Sequence, residues 1–230
     1  MALSRFIREF VTLIIVMISI RCYADTRIRV AVLDSGINFN NSNRYYLCTE
    51  GHYDATGTGL ADREGHGTNV AGLIAQGINP KTHCIVMIKF FNTYGYISKY
   101  KPYPTMLDAW NHLKELNPAY VNMSLSGWEF WQEEFNTIKY LLRNGAKITI
   151  AAGNESVDFD KAGCIIFPAC YRVNNPNFHV VGAPDLIRSN RGGPVQYFEF
   201  GLNQRAWGVT KTGTSQSSAV HMAKWLMQDK

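Results

Sequence analysis

The sequence has no Cys-x-x-Cys pair, no internal repeat and no low-complexity run. Its six histidines are scattered, so zinc ligation of ordinary spacing is disfavoured. Charge of one sign is also in short supply: 23 Lys and Arg against 18 Asp and Glu leave a formal charge of only +5, too mild and dispersed for a nucleic-acid footprint. No acidic cluster specifies calcium. Asp54, Asp62 and Glu64 are plausible loop ligands, yet read better as a solvated face with turn-forming roles. The amino-terminal apolar stretch, Val11 to Ile20, is too short to cross a bilayer comfortably and is followed by Arg21.

What remains is the composition of a folded protein, 46% hydrophobic and 13% aromatic, and one domain over residues 25–230 is expected. Residues 1–24 stand apart. Arg5 and Arg8 precede the apolar stretch and Cys22-Tyr23-Ala24 follows it, as in a secretory signal peptide cleaved after Ala24. Cleavage lowers the formal charge to +3 and leaves no membrane segment; a retained anchor, or a lipid on Cys22, fits less well. An exported chain, periplasmic or secreted, keeps Cys48, Cys84, Cys164 and Cys170, an even number in an oxidising compartment. Two disulfides follow. Of the three possible pairings, Cys48–Cys84 with Cys164–Cys170 as a local staple is favoured.

Apolar and polar segments alternate with two periods. Strands are expected at Arg27–Asp34, His83–Phe91, Ala119–Ser124, Lys147–Ala152, Phe178–Ala183 and Val195–Phe200. Helices are expected from His66 to a cap at Gly77, over Pro104–Leu116 with Met106, Leu107, Trp110, Leu113 and Leu116 on one face, over Phe130–Arg143, and over Ser215–Met227. This order predicts an α/β fold with a mostly parallel central sheet and helices on both faces. Ligand sites in such sheets gather at the carboxyl ends of the strands, where Asp34, Ser124 and Asn154 fall.

Three short segments then carry chemistry. Leu33-Asp34-Ser35-Gly36 puts an acid at a strand end, Gly65-His66-Gly67-Thr68 puts a base in the first turn of a helix, and Gly213-Thr214-Ser215 puts a hydroxyl at a helix start. A serine attacks a carbonyl when a histidine takes its proton and a carboxylate orients that histidine. The helix start offers unpaired N–H groups to a developing oxyanion. Taken singly, each segment is an ordinary cap or turn. Together, in the order Asp, His, Ser, they read as a catalytic triad. Gly65 and Gly67 imply backbone approaching His66 closely on both sides.

On these segments the chain resembles the subtilisin-like serine proteases, the subtilase or S8 peptidase family, over most of residues 28–227; Asp, His, Ser is the subtilisin order. The resemblance implies a three-layer subtilisin-like fold and a peptide or protein substrate. It also implies an oxyanion hole from Asn154, within Ala151-Ala152-Gly153-Asn154-Glu155, and the Ser215 N–H. Ser124, Leu125, Ser126 and Gly127 would form the edge to which substrate adds as a strand, and Glu155 an S1 rim tolerant of a basic residue. No cofactor is required for such chemistry. Asn122-Met123-Ser124 and Asn154-Glu155-Ser156 match the glycosylation sequon inside this site, where a glycan would block it, which favours a bacterial exported protein.

The chain also departs from the pattern. Ala219 stands where the family has proline, and Asn69 where a second histidine is common. Little chain separates Ala24 from Asp34, so no inhibitory propeptide of the usual kind is expected. Little also follows Ser215, so Val220, Ala223, Trp225, Leu226 and Met227 of the last helix invite cover from a partner chain. The expected function is an exported serine endopeptidase. A catalytically silent protein keeping the fold for binding or scaffolding is the alternative.

Overall fold

The computed structural model describes residues 25–91 and 106–229; the expected signal peptide, residues 1–24, and Pro104 lie outside them. In chain order the elements are β1 (Ile28–Asp34), β2 (Tyr53–Asp54), α1 (His66–Ala75), β3 (His83–Lys89), α2 (Met106–Leu116), β4 (Tyr120–Met123), α3 (Gln132–Arg143), β5 (Lys147–Ala151), α4 (Phe159–Ala162), β6 (Phe178–Gly182), β7 (Tyr197–Phe198), β8 (Gln204–Ala206), β9 (Val209–Lys211) and α5 (Thr214–Gln228). Among the described residues no helix is long and apolar enough to cross a membrane.

Seven strands form one sheet in the order β2-β3-β1-β4-β5-β6-β7, every pairing parallel. Strands β1 and β3 carry uninterrupted apolar runs, Val30–Leu33 and Cys84–Ile88, because both faces are covered. Ala31 and Leu33 of β1, with Val86 and Ile88 of β3, face a core completed by Trp110 and Leu113 of α2 and Ile138 and Leu141 of α3. The alternate residues, Val30, Val32, Ile85 and Met87, face a second core with Val70 and Ile74 of α1 and Met222 and Leu226 of α5. This is the expected three-layer α/β arrangement. The register pairs Asp34 with Lys89 and Met123 with Ile150, so the carboxyl ends of β1, β4 and β5 open onto one rim.

Both disulfides form as expected, Cys48–Cys84 and Cys164–Cys170, with Cα separations of 4.9 and 5.3 Å. Other expectations are corrected. Leu107 does not share the buried face of α2 but is 47% exposed. Gly77 has no left-handed backbone to cap α1; a Cβ there would collide with the Ala223 carbonyl, so this glycine lets α1 approach α5. The strand expected at Val195–Phe200 shrinks to β7. The β8–β9 hairpin turns at Trp207-Gly208 with positive φ at both, and a tryptophan in such a position carries no turn signal in the sequence. Ala219 leaves α5 unbroken where proline would interrupt it. Of the last helix's apolar residues, Ala223 and Leu226 are buried within the chain and need no partner, Val220 and Trp225 are half-buried, and Met227 is exposed.

Candidate active site

Asp34 ends β1 fully buried, and its Oδ1 accepts hydrogen bonds from His66 Nδ1 at 2.7 Å and from the Ser35 N–H at 2.7 Å. A carboxylate only accepts, so Nδ1 carries a proton, and in the neutral imidazole Nε2 keeps its lone pair. Asp34 Oδ2 is buried with no donor among the described residues, an unusual state that marks a site rather than a scaffold. Gly67 permits this geometry: a Cβ there would collide with the Gly36 carbonyl and press on the Asp34 side chain at 3.1 Å.

The start of α1 is capped from outside the helix. Ser35 Oγ accepts the Gly67 N–H at 2.9 Å, and Asp62 Oδ2 accepts the Thr68 N–H at 2.8 Å and its hydroxyl at 2.7 Å. Asp62 Oδ1 takes Ser35 Oγ at 2.9 Å and the Gly65 N–H at 2.8 Å. Asp62 is therefore not part of a solvated face, as expected from sequence, but a buried brace that fixes the turn carrying His66.

The other carboxylates weighed for calcium are also engaged. Asp54 accepts from the Thr56 and Gly59 N–H groups at 2.8 and 2.6 Å, and Glu64 pairs with Lys211 at 3.1 Å. Buried Lys89 gives this loop its cation, donating to the Gly59 and Ala61 carbonyls at 2.8 Å each. Among the described residues one cluster has ligand spacing, Asp25 with Cys48 and Cys84, and both sulfurs are committed to the disulfide.

Ser215 is the second residue of α5. Asn69 of α1 joins the two helix starts: its Oδ1 accepts from Gln216 Nε2 at 3.1 Å, while its Nδ2 donates to the carbonyls of Gln204 and Val209 at 3.0 and 2.8 Å. The asparagine standing in the place of a second histidine thus ties α1, α5 and the hairpin together. Below Ser215 lies a buried polar network. Ser124 Oγ donates to Asn122 Oδ1 at 2.8 Å, Asn122 Nδ2 donates to Thr149 Oγ1 and Ser218 Oγ at 2.9 and 3.1 Å, and Ser218 Oγ donates to the Ser215 carbonyl at 2.9 Å. Asn122 is fully buried in it, out of reach of glycosylation.

Ser215 Oγ lies 3.5 Å from the Ser124 carbonyl oxygen. It shares no hydrogen bond with His66 Nε2 here, a link that tightens in many enzymes only when substrate is present. Asn154 Oδ1 accepts the Thr214 N–H at 3.0 Å, which fixes the amide and leaves Nδ2 as its outward donor. Among the described residues neither this Nδ2 nor the Ser215 N–H has an acceptor. Burial pushes the His66 pKa down, but the charge and hydrogen bond of Asp34 outweigh it and the net position is above the usual imidazole value.

The expected binding edge is also placed. Ser124 offers its carbonyl, its hydroxyl being engaged; Leu125, Ser126 and Gly127 line a cavity beside it. Glu155 reaches this edge from the loop after β5, accepting from Ser126 Oγ at 3.1 Å and from Asn190 Nδ2 at 2.6 Å. Asn190 carries no signal in the sequence, since Arg188-Ser189-Asn190-Arg191-Gly192 reads as any polar loop. It is fully buried, donates to the Ala152 carbonyl at 2.9 Å and accepts the Glu155 and Val157 N–H groups at 3.1 and 2.8 Å, holding the loop that carries Asn154.

Comparison with known proteins agrees with this fold and places the chain in a family. The model of the subtilase family matches residues 25–224. Alkaline protease 1 of Aspergillus clavatus is 29% identical over 208 residues, covering 84% of this chain and 48% of that protein. The major intracellular serine protease of Bacillus subtilis is 26% identical over 157 residues, 63% of this chain and 48% of that protein. The chain thus spans about half the length of these relatives. The epidermin leader peptide processing serine protease from Staphylococcus aureus shares the fold, with a TM-score of 0.68 at 16% identity over 88% of this chain and 65% of that one.

Proposed function

This chain belongs to the subtilase family, and from that membership we propose that it is an exported serine endopeptidase. Ser215 Oγ attacks the scissile carbonyl of a peptide or protein, His66 Nε2 takes its proton, and Asp34 holds Nδ1–H and stabilises the imidazolium. The oxyanion settles between the Ser215 N–H and Asn154 Nδ2. His66 then protonates the leaving amine, and water releases the acyl group from Ser215 by the same route.

The observation that carries the reading is the pair of donors without acceptors beside a serine and a carboxylate-oriented histidine. Unengaged donors beside a nucleophile serve an anion that forms at that point. Substrate adds along Ser124–Gly127 with its carbonyl at that point. Export rests on Arg5, Arg8 and the apolar stretch ending before Ala24, and the two disulfides suit an oxidising compartment.

A fluorophosphonate probe tests the assignment. The wild-type chain is expected to be labelled and to cleave unfolded casein, and Ser215→Ala to do neither; persistent labelling of Ser215→Ala would remove Ser215 as the nucleophile. A folded wild-type chain that is neither labelled nor active would favour the scaffold reading. Because His66 must be neutral to take the proton, activity should rise with pH through its raised pKa.

A further inference from the structure

Beside the edge strand lies a cavity of about 270 Å³ that the triad does not use. Its walls are aromatic and aliphatic: Phe90, Leu125, Trp128, Trp131 and Phe167. One carboxyl lies in this apolar setting, that of Glu134, in the first turn of α3 and 8% exposed. Its Oε1 accepts the Tyr171 hydroxyl at 2.6 Å. Oε2 accepts no hydrogen bond among the described residues and, unlike Asp34 Oδ2, is not sealed from water. A second carboxylate, Glu129, lines the same space.

The backbone directs a substrate side chain there. Gly127 forms an antiparallel bridge with Phe167, its N–H donating to the Phe167 carbonyl at 2.9 Å and its carbonyl accepting the Phe167 N–H at 2.8 Å. Main-chain groups alternate along an extended strand, so those of Ser124 and Ser126 point the other way, toward Ser215, as the Ser124 carbonyl does. A peptide running antiparallel on that edge, with its scissile residue opposite Ser124, brings its fourth residue before the scissile bond level with Gly127. There the cavity opens.

We propose that this cavity is a specificity pocket for a basic side chain at that fourth position, with Glu134 as its counter-ion. The pocket admits one long side chain, whose aliphatic stem lies along Leu125 and Phe167 while its cationic end meets the tryptophan rings and the free carboxylate oxygen. Tyr171 orients the carboxyl by holding Oε1. Burial pushes the Glu134 pKa up to about 7, and an incoming cation favours the carboxylate. The assignment rests on the endopeptidase reading for the direction of the peptide, but the chemistry of the pocket can be read without turnover.

The test therefore uses binding and cleavage separately. Fluorescent peptides carrying arginine, its neutral isostere citrulline, or leucine at the fourth position are titrated onto Ser215→Ala protein, with and without Glu134→Gln. Glutamine still accepts from Tyr171 and removes only the charge. Arginine is expected to bind about 10- to 100-fold tighter than citrulline, a difference that Glu134→Gln abolishes while leaving citrulline and leucine peptides within about twofold. The same ratios are expected in kcat/KM on the Ser215 enzyme. Equal binding of arginine and citrulline, tighter binding of leucine, or a uniform loss in Glu134→Gln overturns the proposal, as does no binding at all. Charge-dependent binding without cleavage or probe labelling would leave the pocket standing and defeat the endopeptidase reading instead.

Discussion

The two faces of the sheet are built from the same strands and hold their helices by different means. Toward α2 and α3 the core is mostly apolar, centred on Trp110 and Phe90 with ring centroids 4.8 Å apart, and two polar atoms buried there, Trp110 Nε1 and Thr137 Oγ1, find no partner among the described residues. Toward α5 the sheet presents Asn122, Thr149 and Ser124, which meet Ser218 and the Ser215 carbonyl, while Gln216 meets Asn69. All of these side chains are buried and all are bonded. Dispersion is non-directional and tolerates small slips; a hydrogen-bond network does not. The apolar face supplies stability, and the polar one fixes where Ser215 sits.

The largest effect expected from breaking this division is on the apolar face. Trp110→Ala should cost about 3–5 kcal/mol of stability, because removal of a fully buried indole leaves a cavity that the sheet cannot fill. Urea unfolding reads the loss, while activity per folded molecule stays near wild type. A fall in specific activity as large as the fall in stability would show that the two faces are not separable.

On the polar face the converse is expected. Asn154→Ala removes an oxyanion donor and should lower kcat by about 10²–10³-fold, about 2.7–4 kcal/mol of transition-state stabilisation, with KM little changed. The bond from the Thr214 N–H is lost too, but a single part-buried hydrogen bond is worth only about 1 kcal/mol, so thermal unfolding should shift by a few degrees at most. Unaltered kcat would remove Asn154 from the oxyanion hole.

Periodicity alone makes the layers legible: uninterrupted strands such as Val30-Ala31-Val32-Leu33 can only be covered on both sides, and the triad segments lie on a strand end and two helix starts. What periodicity cannot express is partnership across the chain. Asp62 reads as an exposed loop acid, although its role depends on N–H groups at the start of α1. Asn190 gives no local signal because its partners lie in the loop at 152–157. Glu134 reads as a first-turn helix acid of the ordinary solvated kind; its burial depends on Tyr171 and Phe167, which arrive from another loop.

Glu134 sets the smallest of these effects and the sharpest, because it places an ionisable group against the apolar face. Its carboxyl titrates at about 4.5 in an unfolded chain and about 7 in the folded one, burial outweighing the Tyr171 hydrogen bond. The folded state therefore resists ionisation of this group. The sign follows: with respect to Glu134 the protein is most stable below pH 4.5, loses stability as pH rises from 4.5 to 7, and above that carries a constant penalty of about 3 kcal/mol. Glu134→Gln cannot ionise and keeps its acceptor for Tyr171. Across that window the variant should become progressively more stable than wild type, level with it near pH 4.5 and ahead by about 3 kcal/mol at pH 8, as read by urea unfolding at each pH. Parallel pH profiles for the two proteins would mean that water reaches the carboxyl freely enough to solvate its charge. A basic peptide seated on the pocket should shrink the gap from the other side, stabilising wild type at pH 8 more than it stabilises Glu134→Gln.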